Sequence, residues 1–265
     1  MNYKLYNEDC LEVFKTLDDE SVDLFLTDCP YHIIGGGCSN DAVKIGRTPS
    51  GILDRGKDKH GNRYMTDSKH VSLCGILNDA DQHTYTKQGK LFKHNDIKFS
   101  EWLPEVYRVL KNGTHCYVMI NHRNLKDLWC DAESAGFEFQ QLLVWDKGNA
   151  TPNRYYLNSY ELILMLRKGP AKNINEMGTK NILRIPNIIG NKRHPTEKPV
   201  ELMQVLIKNS TNENDVVMDS FMGAGATGIA CKTLNRNFIG VEIDEKYFNI
   251  AKSRFEEEER QMTLW

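Results

Sequence analysis

Residues 216–230, VVMDSFMGAGATGIA, set Gly223, Gly225 and Gly228 in a GxGxxG spacing between a β-branched run and an apolar, helix-like segment. Glycines so spaced let a chain turn sharply out of a strand and let a ligand approach its backbone. Glu242 follows nineteen residues after Gly223, at the tip of the next apolar run, FIGVEI. Strand, glycine turn, helix and acid-tipped strand are the ligand-binding half of a doubly wound sheet. A tight turn that merely needs glycine is the plain alternative. Only 21 residues follow Asp244, so the other strands must come from the chain before the loop. The reading is α/β, with a Rossmann-like sheet in circularly permuted order.

Asp219 closes the strand before the glycine turn. A carboxylate there disfavours the pyrophosphate of a dinucleotide and favours an ammonium or sulfonium group. S-adenosylmethionine carries both and has no phosphate.

The rest of the chain alternates strand and helix, as a parallel sheet requires. The patterns predict strands at 3–7, 22–27, 114–120, 137–145, 160–168, 216–221 and 238–243. Helices are expected near 10–17, over FSEWLPEVYRVLKN until Asn112-Gly113 stops it, over 123–135, over 199–209, after the glycine turn, and at the C-terminus. Two stretches stay irregular, 33–95 and 169–192. The expected organisation is one catalytic domain, 1–265, with a basic insertion or flap at 33–95 and a small recognition segment at 169–192.

Charge is unevenly placed. The chain has a net charge of −2, yet residues 35–95 hold ten Lys/Arg against six Asp/Glu, and 146–199 hold ten against four. Such segments suit a phosphate backbone, although a solvated lysine-rich surface has the same composition. The seven cysteines are scattered without a CxxC pair, which fits reduced thiols in a cytoplasm. No stretch approaches the roughly 20 apolar residues of a membrane span, and MNYKLYNEDCLEVF lacks a signal peptide's apolar core. Cys38, His60, His70, Cys74, His83 and His94 match no standard zinc spacing, so no metal is expected.

The strand at 22–27 runs into TDCPYH. Asp28 offers an acceptor for an amine hydrogen, and the backbone carbonyl of Cys29 offers a second. Pro30 fixes its own φ and pushes residue 29 into an extended conformation that presents this carbonyl. Tyr31 offers a face for a stacked base. A cysteine nucleophile is the competing reading, but a small buried thiol without chemistry is commoner.

The order of these motifs resembles the beta class of S-adenosylmethionine-dependent DNA amino-methyltransferases. TDCPY is similar to the catalytic motif, usually Asp-Pro-Pro-Tyr in adenine enzymes. NEDCLEVF resembles the motif whose acid reads the cofactor's adenine, HPTEKP the motif opening the helix before the cofactor loop, DSFMGAGATG the loop, and GVEID the strand with the ribose-binding acid. VWDKGNATPNR and YELILMLRKG resemble the segment before the recognition region. The likeness implies transfer of a methyl group from S-adenosylmethionine to the exocyclic N6 amine of adenine in a flipped base. Its catalytic residues would be Asp28, Cys29, Pro30 and Tyr31. Its cofactor residues would be Asp9, Thr196, Lys198, Asp219, Phe221, Gly223, Gly225 and Glu242.

Lys57, Arg63, Arg154, Lys172, Arg184, Lys192 and Arg193 are the candidate contacts to DNA, double- or single-stranded. The resemblance also allows a cognate restriction endonuclease and a homodimer as partners, and a bacterial or phage cytoplasmic setting. Cytosine-N4 methylation, a catalytically silent nucleic-acid-binding subunit, and an RNA or protein methyltransferase are the alternatives. Asp28 favours adenine over cytosine-N4 enzymes, which more often carry Ser there. The cytosine-5 pattern, Pro before Cys with a Glu-Asn-Val element, is absent.

Overall fold

The run Val22-Asp23-Leu24-Phe25-Leu26 lacks polar alternation because its strand is buried on both faces, the mark of an interior parallel strand. In the computed structural model, Leu24 and Leu26 join an apolar cluster with Val217, Leu202 and Phe238. Val22 and Phe25 join another, with Trp102, Leu103 and Val118. A register shift between Val22 and Leu24 puts Val22 on the Phe25 side.

The structure describes residues 2–31, 97–151, 156–190 and 192–262. The chain forms two units, one of Met1–Tyr31, Asp96–Asn149 and Ser159–Trp265, the other of His32–Asn95 and Ala150–Asn158. The site described below belongs to the first. The basic segment 33–95, with Lys57, Arg63 and its scattered Cys and His, lies outside the described residues, as does Arg154.

The described elements are β1 (Tyr3–Tyr6), α1 (Cys10–Phe14), β2 (Val22–Asp28), α2 (Phe99–Val109), β3 (Leu110–Ile120), α3 (Leu125–Ser134), β4 (Glu138–Thr151), β5 (Asn158–Lys168), β6 (Ile182–Arg184), α4 (Val200–Ser210), β7 (Val216–Asp219), α5 (Ala226–Thr233), β8 (Asn237–Val241) and α6 (Glu245–Met262). The strands form one sheet in the order β1-β8-β7-β2-β3-β5-β4-β6. The C-terminal β7 and β8 are thus inserted between the N-terminal β1 and β2, as the displaced glycine loop demanded. The pairs β1/β8, β8/β7, β7/β2 and β2/β3 are parallel, and β5 runs antiparallel to β3.

Three local expectations differ from the structure. Helix α2 stops at Val109, before Asn112-Gly113, because Leu110 is already paired with Val22 and fully buried. Its carbonyl also accepts from Lys168 Nζ, so tertiary contacts outweigh helix propensity. Strand β4 continues to Thr151, past the expected end at Trp145. The segment 169–192, read as irregular, contributes the edge strand β6, parallel to β4 and secured by a hydrogen bond from Trp145 Nε1 to the Ile185 carbonyl.

Gly225 caps the start of α5 at φ +77°, the left-handed region that glycine adopts without steric cost. Gly228 serves packing. A Cβ there would lie 2.2 Å from Phe255 Cζ and 2.6 Å from Phe238 Cε1, both rings of the core. Gly228→Ala is expected to destabilise the fold by about 1–3 kcal/mol through overpacking, read as a lowered urea midpoint at unchanged slope.

Candidate active site

The carboxyl ends of adjacent parallel strands collect the candidate residues, as open α/β sheets do at a change of strand order. At the centre lies Asp219, at the end of β7 and 3% exposed. Thr27 Oγ1 at 2.6 Å and the Phe221 amide at 3.1 Å donate to its Oδ1, and Thr227 Oγ1 at 2.6 Å donates to Oδ2. Burial raises its carboxyl to about 6, against the pull of these donors. Asp219 therefore anchors β2, β7 and α5 to one another, with two donors on Oδ1 and one on Oδ2.

One strand further, Glu242 follows β8. Its Oε2 accepts from the Gly223 amide at 2.9 Å and its Oε1 from the Asp244 amide at 2.8 Å. Each carboxylate oxygen has a second acceptor position to offer a ligand's hydroxyls. Burial lifts the Glu242 carboxyl to about 7, with the two amides opposing. Beyond it, the turn after β1 is tied down by Asn7, whose amide donates to the Glu242 carbonyl at 2.8 Å. Asp9, exposed, spends Oδ1 capping α1 through the Leu11 amide at 2.9 Å. Phe221 meets Trp102 edge-on at 5.5 Å. Beside it, Ser220 Oγ and Trp102 Nε1 are buried without a hydrogen-bond partner among the described residues.

In the HPTEKP turn, His194 Nδ1 faces Thr196 Oγ1 at 3.0 Å, and its ring meets Tyr247 edge-on at 4.1 Å. His194 orders the turn. Glu197, which the sequence did not single out, takes the Arg193 amide at 2.7 Å and Arg254 Nη1 at 3.1 Å, tying the turn to α6. Lys198 is no surface charge: its buried ammonium lies 2.5 Å from Asp28 Oδ2 and 3.2 Å from Glu161 Oε2. Lys147 Nζ approaches Glu161 Oε1 at 3.4 Å. Asp28, Lys198, Glu161 and Lys147 thus alternate in sign at one end of the sheet. Glu161, at the start of β5, gave no signal in the sequence beyond being the one acid in an apolar strand.

The Cys29 thiol is buried at 2% exposure and donates weakly to the Met119 carbonyl at 3.8 Å. Burial, with Asp28 beside it, pushes the thiol well up, which keeps it protonated and unfit as a nucleophile. It packs the tetrapeptide onto β3, a bond that proline in its place could not donate. Tyr31 is half-buried against the same core, its phenol also held protonated by burial and by Asp28.

The basic candidates separate. The Lys172 amide donates to the Gly113 carbonyl at 3.1 Å, near the start of β3, whereas Asp28 aligns with Met119. Six residues along a strand are about 20 Å, so Lys172 belongs to the far end of the sheet and not to this site. Asn175 and Glu176 fasten that stretch to the end of α4 through Lys208, Asn209 and Thr211. Residues 185–190 and 192–193 return toward the site. Lys192 is held by Asn187 and desolvated beside Lys198. Arg193 is half-exposed near Glu197, and Arg184 projects from β6.

The DNA methylase family that groups N6 and N4 enzymes matches residues 22–253, and the chain belongs to it. Among individual proteins, it is 26% identical to the Type II methyltransferase M2.MboI of Moraxella bovis, over 97% of this chain and 88% of that protein. It is 27% identical to M.HinfI of Haemophilus influenzae, over 94% and 67%. The crystal structure of the M1.HpyAVI–SAM complex superposes with a TM-score of 0.62 at 26% identity, covering 95% of this chain and 99% of that one. The cytosine-N4-specific PvuII DNA methyltransferase shares the fold, with a TM-score of 0.66 at 18% identity.

The raised carboxyls have a consequence for stability. Glu242 rises from 4.5 to about 7, and Asp219 from 3.8 to about 6. Between those limits the folded protein holds protons that the unfolded chain has released, so this contribution is complete at low pH and lost as pH climbs toward 7. Glu242→Gln cannot ionise. Thermal melts from pH 5 to 8 are expected to show the wild-type Tm falling relative to that of the variant.

Proposed function

We propose that the chain methylates the exocyclic N6 amine of adenine in DNA, using S-adenosylmethionine, with the base turned out of the helix toward Asp28, Cys29, Pro30 and Tyr31. The observation that carries this reading is the contact of Thr27 with Asp219, which sets the tetrapeptide directly beside the glycine loop.

The residues around the loop fit S-adenosylmethionine. Glu242 has acceptor positions left for ribose hydroxyls, and Asp9 lies beyond it at the end of β1 for an adenine amine. From β1 to β2 is three strand spacings, about 14 Å, a length for a nucleoside with an amino-acid tail. When bound, this cofactor supplies a sulfonium-activated methyl group.

The protein's own part is to bind and aim. An adenine amine is a weak nucleophile because its lone pair is delocalised into the ring. Asp28 and the residue 29 carbonyl, accepting from the two amine hydrogens, favour a pyramidal nitrogen with its lone pair free. Transfer would break the sulfonium's bond to the methyl and leave a neutral thioether, and the amine would give up one hydrogen as a proton, which Asp28 is placed to hold. Tyr31 stacks on the base, a contact worth about 1–3 kcal/mol. Arg184, Lys192 and Arg193 are the described candidates for phosphate contacts, while Lys57, Arg63 and Arg154 are candidates by sequence and lie outside the described residues. Within the expected recognition segment 169–192, the part after β6 is the part nearest Lys198 and so the part we assign to recognition. No helix among the described residues is long and apolar enough to cross a membrane. A cytoplasmic setting, a cognate endonuclease and a second copy of the chain go with this reading, which the Type II relatives support.

Incubating the protein with S-adenosylmethionine and DNA, RNA or protein, followed by digestion and mass spectrometry, is expected to yield N6-methyladenine in DNA. N4-methylcytosine would move the assignment to the sister class, and no product in any pool would sink it. Asp28→Ala is expected to cost at least about 100-fold in turnover, while calorimetry finds cofactor affinity within about threefold. Cys29→Ser is expected to keep activity within about tenfold, since serine retains the backbone acceptor and can still donate to Met119.

A further inference from the structure

Asp28 is not held by the backbone turn alone. Lys198, on the turn before α4, reaches its Oδ2 at 2.5 Å, and Glu161, on β5, holds the same ammonium at 3.2 Å. No hydrogen-bond donor among the described residues reaches Asp28 Oδ1. We propose that Lys198, braced by Glu161, is the positioning residue for Asp28, fixing one carboxylate oxygen and leaving the other to the substrate amine. This rests on the reading of Asp28 as the amine's acceptor, and it gives Lys198 a different role from contact with the cofactor.

The charges around Asp28 give the inference a sign. Lys198 favours its ionised form, and Glu161, with Asp219 behind, disfavours it. Cys29 and Tyr31 also face it, and both are neutral. Glu161 is held below the usual carboxylate range because Lys198 and Lys147 outweigh its burial. Lys192, partly desolvated, is repelled by Lys198 and attracted by Glu161. Lys198 overcomes its own burial through Asp28 and Glu161 and stays charged. Asp28 therefore shares its lysine with a rival that has a second one, and burial raises its carboxyl. Removing Lys198 should make Asp28 harder to ionise, and removing Glu161 should make it easier.

Three variants separate the possibilities, with kcat measured against pH under saturating DNA and cofactor, and cofactor affinity measured by calorimetry. Lys198→Met is expected to lower kcat at least tenfold and move the acid limb up by more than one pH unit, with cofactor affinity within threefold. Glu161→Gln is expected to move the limb the other way, to lower pH. Lys198→Arg is expected to leave the limb within a few tenths of a unit, since charge is kept, while kcat drops. The opposed shifts cannot come from a general loosening of the fold. Should Lys198→Met not fold, Glu161→Gln still carries the test, because it leaves Asp28 with its lysine. Carboxyl NMR of cofactor-free protein labelled in aspartate reads the same opposed shifts in the Asp28 titration, independent of turnover. An unmoved limb and titration in Glu161→Gln would overturn the proposal. So would Lys198→Met with an unmoved limb and cofactor affinity weakened tenfold or more, which would return Lys198 to the cofactor. A wild-type protein that makes no N6-methyladenine would defeat the functional reading alone, with the NMR titration still testing the coupling.

Discussion

The buried carboxylate of Asp219 is the constraint on which the site rests. An ionisable group at 3% exposure is costly unless its lone pairs are filled. Thr27, Thr227 and the Phe221 amide supply three of the four acceptor positions with donors. These donors come from the end of β2, the first turn of α5 and the loop between β7 and α5. Satisfying one acid thereby fixes the tetrapeptide that follows Thr27 against the glycine turn, across 192 residues of sequence. Loss of either threonine would leave a buried acceptor short and loosen the junction at which methyl donor and base must meet.

Around this junction the protein uses carboxylates in three ways. Asp219 is sealed and structural. Glu242 is half-committed, one backbone amide to each oxygen, with room for hydroxyls. Asp28 is committed on one side only, to a lysine shared with Glu161. The progression from sealed to open follows the supply of donors around each acid, since all three residues begin as the same functional group. The buried cysteine beside Asp28 belongs to the same economy of donors. Its thiol supplies a weak hydrogen bond to Met119 and packing against β3, and its neutrality leaves Asp28 as the charged group of the tetrapeptide.

Much of the fold was legible because the apolar runs are long, and the glycine turn, so near the chain's end, admits few topologies. The order β1-β8-β7-β2-β3 follows from needing strands on both sides of β7. Boundaries fared less well where tertiary pairing competes with local preference. Leu110 leaves its helix early because Val22 and Lys168 claim its backbone. The segment 169–192 reads as one basic element because composition carries no direction. In space it is fastened to α4 at one end of the sheet, supplies β6 at the edge, and only then reaches the site, which separates Lys172 from Lys192 and Arg193.

The sequence by itself determined the chemistry on offer. An acid, an extended carbonyl set by Pro30, an aromatic face and a glycine turn without a phosphate partner are properties of residue type and spacing, and such properties survive without coordinates. Which acid holds what was decided only by the tertiary structure. For Asp219 and Lys198 the sequence shows the sign of the charge and no more. Folding buried both. Burial requires each charge to find partners, and the nearest partners were Thr27 and Thr227 for the one, and Asp28 and Glu161 for the other. Those partners lie 192, 8, 170 and 37 residues away along the chain, distances over which sequence pattern carries no geometry and only the sheet does.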